Sequence, residues 1–274
     1  MNEVDYKKIK GKTVLLFSGG MDCYCINQLE KPDVLLYIDN NSAYSKYEKT
    51  FLKQKQAEGF YENLVFVDNF IDMSTIERDD KIIPARNAYF ILKAAEYGDT
   101  IILGATSGDR STDKDITFAK QMEDILNHIY EASHWVGEEG RKITVDFRYK
   151  SFTKKQILEK FVMERTKTSG ATYEEAKQIV STELSTMTVS CYDFKKVDGE
   201  TKPCGTCKPC TRKWLALLGS TGVDTGAYFT TNPREYFNTD TIQSWIVKES
   251  GNNNRGPESK EIIDTLEKIR DGLI

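Results

Sequence analysis

The chain has 274 residues, a length that suits one large domain or a domain with an appendage. Apolar residues make up 39% and charged residues 29%, enough for a packed core in a water-exposed chain. The net charge of −4 provides no general basic footprint for nucleic acid, and no window of about 18 uncharged apolar residues exists to span a membrane.

The opening MNEVDYKKIKGK is polar and mixed in charge and does not read as a signal peptide, so a cytoplasmic setting is expected. TVLLF (13–17) is short, continuous and apolar, as a buried parallel strand should be. CYCINQLE (23–30) opens a helix, DVLLYID (33–39) is a second strand, and YSKYEKTFLKQKQAEG (44–59) is a charged amphipathic helix. NLVFVD (63–68) is a third strand. ARNAYFILKAAEYG (85–98) is a helix with Gly98 as its C-cap. DTIILGAT (99–106) is a fourth strand, DITFAKQMEDILNHIYEA (115–132) a long helix and KITVDF (142–147) a fifth strand. Thr153 then caps KKQILEKFVMERTK (154–167). This alternation implies an α/β fold, with a parallel, doubly wound sheet that binds ligands beyond the carboxyl ends of its strands. KESGNNNRGPESK (248–260) reads as a loop before a short terminal helix.

Two segments carry chemistry. In SGGMD, after the first strand, Gly19 and Gly20 allow a tight turn and close approach of a ligand. Amides at the following helix start favour an anion such as phosphate. Asp22 opposes that unless it holds a metal ion or caps the helix. A plain strand-turn-helix junction is the competing reading. The stretch is neither a Walker A loop nor a GxGxxG fingerprint. The second segment is SCYDFKKVDGETKPCGTCKPC, with Cys191, Cys204, Cys207 and Cys210 spaced C-x12-C-x2-C-x2-C. Four thiolates satisfy tetrahedral zinc with no open position, so the site is structural. Free thiols, a redox pair or an iron–sulfur cluster are the alternatives. Cys23 and Cys25, at the glycine loop, read as small buried side chains.

Ser-Gly-Gly-x-Asp after the first strand resembles the signature of the N-type ATP pyrophosphatases, whose usual form ends in Ser where this chain has Cys23. Taken with PARN (84–87) and SCY…PCGTCKPC, the chain resembles the 7-cyano-7-deazaguanine synthase family over roughly residues 1–222, with the cysteine segment at 188–215. The remaining 223–274 form an extension outside the likeness. Its aromatics Tyr228, Phe229, Tyr236, Phe237 and Trp245 imply packing on the core or on a partner.

The resemblance implies an adenine-nucleotide hydrolase-like sheet, a structural Zn²⁺ on the four cysteines, and ATP with Mg²⁺. It implies ligation of ammonia to 7-carboxy-7-deazaguanine, giving the nitrile for queuosine or other 7-deazaguanine synthesis. Phe17, Ser18, Gly19, Gly20, Met21, Asp22 and Cys23 would form the nucleotide loop, and Asp39 would lie near the adenosine, though it reads equally as a strand-end cap. Asp22, Arg86 and Lys154 match the catalytic positions. PARN has Ala85 where the family has Gly; Arg86 suits a carboxylate or phosphate, and Asn87 supports it as a helix cap. Asp109 and Asp115, in the loop after the fourth strand, would face the purine-like ring, although that loop departs from the family pattern. Arg212 and Lys213 each fit the family's basic residue after the cysteines. The only histidines, His128 and His134, have surface or core roles. A homodimer is what the family suggests. Cys23 and the altered loop motivate two other readings: transfer of the activated group to a protein or nucleic-acid acceptor, and a zinc-stabilised nucleotide binder without turnover.

Overall fold

The computed structural model describes residues 6–132, 140–197, 200–251 and 255–274. His134 lies outside the described residues. The described chain divides into two compact units. The first comprises residues up to Ser18, Glu30–Ala105 and Arg110–Lys150; the second comprises Gly19–Leu29, Thr106–Asp109 and Ser151–Ile274.

After a single helical turn, α1 (Tyr6–Ile9), the first unit holds β1 (Thr13–Leu16), β2 (Val34–Ile38), β3 (Leu64–Val67), β4 (Thr100–Ile102) and β5 (Thr144–Asp146). All neighbours pair in parallel, in the order β3-β2-β1-β4-β5. Val14 and Leu15 are wholly buried, which is why the strands are apolar without alternation. Helices α3 (Ser45–Ala57), α4 (Arg86–Ala94) and α5 (Ile116–Ile129) connect the strands. Ile91 of α4 and Ala119, Met122 and Leu126 of α5 complete one apolar cluster with the strands. The order of strand addition reverses between β1 and β4, and doubly wound sheets bind ligands beyond the carboxyl ends at such a switch point.

Two local features differ from, or add to, the sequence expectation. Helix α4 stops at Ala94, and Gly98 is not its cap. A Cβ on Gly98 would meet the Lys12 carbonyl oxygen at 2.5 Å, so glycine stands there to let the chain pass β1. Ahead of α4, Ala85 adopts the left-handed conformation, φ 59°. A side chain there is strained, and glycine would relieve it. Ala85→Gly is expected to raise unfolding free energy by about 0.5 kcal/mol, the relief of strain outweighing the added freedom of the unfolded chain. A denaturant titration checks this.

The second unit is helical. It contains α2 (Met21–Glu30) through Leu29, α6 (Lys154–Ser169), α7 (Tyr173–Met187), a small antiparallel hairpin of β6 (Lys195–Val197) and β7 (Glu200–Lys202), and α8 (Lys208–Thr221). It ends with α9 (Pro233–Tyr236), α10 (Thr239–Ser250) and α11 (Pro257–Arg270), so the terminal helix is not short. Thr153 caps α6 in a full capping box with Gln156. The extension packs within this unit: Phe229, Phe237, Ile242, Ile262 and Leu266 share a core with Trp214 and the buried cysteines. Trp214 stacks on Phe237 at 5.7 Å. Among the described residues no helix is long and apolar enough to cross a membrane.

Candidate functional site

In the first unit, β1 runs into Phe17, whose N–H donates to the Leu36 carbonyl at 2.9 Å and whose ring packs edge-on against Tyr61. Its side chain is therefore core. Ser18 follows, half-buried. Asp39 ends β2. Its carboxylate accepts from Lys49 Nζ at 2.9 Å and from the Asn41 amide at 3.1 Å, and Lys49 also reaches Asp68 at 2.8 Å. Burial pushes the Asp39 pKa up, but these donors outweigh it and hold the carboxyl below its usual range.

Arg86 begins α4 and donates from Nη1 to the Tyr44 hydroxyl at 2.7 Å. Asn87 is buried, and its side-chain amide donates to the Asp113 carbonyl at 3.2 Å. Asp115 caps α5 by accepting from the Phe118 amide at 2.7 Å. Ala85, Asp113, Asp115 and Phe118 line one open cleft of about 580 Å³, so the PARN stretch and the loop after β4 meet there. Two groups beside Arg86 escaped the sequence reading, Tyr44 and Glu48. Tyr44 is the N-cap of α3 and Glu48 lies four residues on in its first turn, a spacing that places them on one face.

Burial lifts the Glu48 carboxyl to about 8; Arg86 opposes this and Asp39 adds to it. The folded state thus holds a proton that the unfolded state releases near pH 4.5. Between those values stability is expected to fall with rising pH, by at most about 1.4 kcal/mol per unit from this group. Glu48→Gln should flatten that part of the profile. Denaturant titrations from pH 5 to 8 on both proteins test this.

In the second unit, Gly19 takes a left-handed turn, φ 75°, and its carbonyl accepts from the Val189 amide at 2.9 Å. The turn leads into α2, where Met21 is buried, Asp22 lies in the first turn and Cys23 is half-buried. Lys154, the first residue of α6, forms an ion pair with Asp22. Burial disfavours its ammonium, but Asp22, then Glu258 and Asp109, more than compensate, and its pKa is raised. Asp109 also closes its own loop, accepting from the Thr106 amide at 2.9 Å. Cys25 is fully buried, and burial followed by the Asp22 charge keeps its thiol protonated.

The four sulfurs of Cys191, Cys204, Cys207 and Cys210 lie within 4.8 Å of one another. Amides of Asp193 and Cys204 donate to Cys191 Sγ, and that of Cys207 donates to Cys204 Sγ, each at 3.3 Å. Such donors stabilise thiolate charge, and an all-sulfur tetrahedral set fits zinc. Gly205 forms the knuckle at φ 87°; a Cβ there would lie 1.9 Å from the Thr231 carbonyl oxygen. The Thr231 amide donates to the Cys204 carbonyl, so the extension braces the knuckle. Of the two basic candidates, Lys213 is buried and donates to the Thr188 carbonyl at 3.1 Å, with burial lowering its pKa to about 8. Arg212 pairs instead with Glu249 at 2.8 Å and Glu258 at 3.8 Å. His128 is exposed on α5, 4.0 Å from Glu131.

A doubly wound sheet with a glycine turn after its first strand has the architecture of a nucleotide-handling α/β protein, and its four cysteines are placed where they could hold a metal ion. The model of the queuosine biosynthesis protein QueC family matches residues 43–219, and the chain belongs to that family. Its members are ATP-dependent synthases of the queuosine pathway. The matched segment holds Arg86, Asn87, Asp109, Asp115, Lys154 and the four cysteines; the glycine turn and Asp39 precede it. No curated protein and no solved structure matches the chain.

Proposed function

We propose that the chain converts 7-carboxy-7-deazaguanine and ammonia to 7-cyano-7-deazaguanine at the expense of ATP. What supports this, beyond family membership, is the ion pair of Lys154 with Asp22, an ammonium held next to the Gly19–Gly20 turn. A carboxylate resists ammonia because it is anionic and lacks a leaving group. Attack of its oxygen on the α-phosphorus of ATP expels pyrophosphate. Ammonia then displaces AMP, giving the amide and a proton. The amide oxygen attacks the α-phosphorus of a second ATP, expelling pyrophosphate, and loss of AMP and of both N–H protons leaves the nitrile.

In this reading, Ser18 and the Gly19 and Gly20 amides hold phosphate oxygens, and Lys154 neutralises charge on the leaving pyrophosphate. When bound, Mg²⁺ supplies further neutralisation, and Asp22 is the carboxylate available to it. Arg86, with Tyr44 fixing its guanidinium, binds the substrate carboxylate in bidentate fashion. Asp109 and Asp115 read the N–H edge of the ring, and Asp39 meets the adenosine. A zinc ion on the four cysteines has a structural role.

The test supplies substrate labelled with ¹⁸O in the carboxylate, together with [¹⁵N]ammonia and ATP. Mass spectrometry should find ¹⁵N in the nitrile and ¹⁸O in AMP. No ATP-dependent product from zinc-loaded protein, with a control enzyme active in the same mixture, would reject the reading. Label recovered on protein or nucleic acid instead would favour transfer to a macromolecule.

A further inference from the structure

The family match ends at residue 219, yet α11 reaches the residues around Lys154. Glu261 Oε1 accepts from the hydroxyl of Thr153, the cap of α6, at 2.7 Å. One turn earlier, Glu258 is 3% exposed. Its carboxylate fills the space beside Gly108, where a Cβ would lie 2.1 Å from Oε2. Arg255 Nη1 donates to the Gly108 carbonyl at 2.8 Å. Arg212 lies 3.8 Å from Glu258 Oε1 and bonds Glu249, whose other oxygen accepts from Ser259 at 2.6 Å. Glu258 Oε2 has no hydrogen-bond partner among the described residues. A buried carboxylate with an unsatisfied oxygen is costly. Glu258 lines one small cavity with Lys154 and Arg212, so its carboxylate stands among cations and not only against Gly108.

We infer that the C-terminal extension completes the site: Glu258 is a positioning residue that holds the Lys154 ammonium, and with Arg255 it sets the loop at Gly108. The inference rests on the proposed phosphate-binding role of Lys154 for its functional meaning, but not for its geometry. The extension is thereby part of the working enzyme, not an appendage.

The full-length variants Glu258→Gln and Gly108→Ala test it. The first keeps the shape and removes the charge; the second displaces the carboxylate. In each, acetic anhydride should acetylate Lys154 about tenfold faster than in the wild type, the equivalent of one pKa unit of lost electrostatic restraint. Amide exchange at 106–109 should rise, and Kd for MgATP should rise about tenfold with native near-UV dichroism retained. A folded Glu258→Gln protein whose Lys154 reactivity and loop exchange equal the wild type would overturn the inference. A wild-type protein that does not bind ATP would reject the proposed function, and the acetylation and exchange measurements would still decide the role of Glu258.

Discussion

Cys210→Ser is expected to lower the melting temperature by roughly 10 °C or more and to abolish stoichiometric metal binding. Cys210 is wholly buried in the core that contains Trp214, Phe229, Phe237 and Leu266. Loss of one thiolate opens a closed four-sulfur site, so the free energy of metal binding is lost from folding. A loss of about 3–5 kcal/mol corresponds to that shift for a chain of this size. Two of the three tryptophans, Trp214 and Trp245, lie in or against this core, so intrinsic fluorescence should report the change. Cys23→Ser is the control: Cys23 is half-buried and outside the cluster. An unchanged melting curve for Cys210→Ser, with metal shown absent, would mean that the knuckle does not depend on an ion.

Lys154→Ala is expected to reduce kcat/KM for ATP by about 10²–10³, the scale for removing one preorganised group from a developing charge. It should also destabilise the nucleotide-free protein by about 3 kcal/mol, because Asp22, Glu258 and Asp109 lose the cation that offsets their repulsion. Lys154→Arg restores charge without the compact point geometry and should recover stability better than turnover. The raised pKa fixes the sign of the pH effect. The pair contributes fully below the ordinary lysine value of 10.5 and is lost only as pH rises through the higher folded value. Activity changes between pH 6 and 9 therefore arise from other groups, Glu48 among them. Wild-type kcat/KM in the alanine variant would remove Lys154 from the chemistry.

Local signals in the sequence determined much of this protein. Continuous apolar runs made buried parallel strands, because both faces of each strand are covered. Thr153 with Gln156 made a helix start, since the hydrogen bonds of a capping box span only three residues. Cys204, Cys207 and Cys210 came together because two-residue gaps turn thiols towards one centre, and the β6–β7 hairpin lies between them and Cys191. Thr172 and Glu175 carried the same kind of signal for α7, which went unread. Tertiary structure decided what depends on contact at long range. Gly98 had the residue type of a cap but serves the passage of Lys12. The approach of Glu258 to Gly108 joins positions 150 apart, where no periodicity or turn propensity acts. Helix propensity and strand patterning operate over a few residues. The partner of a buried charge is chosen by which elements the packed core brings together.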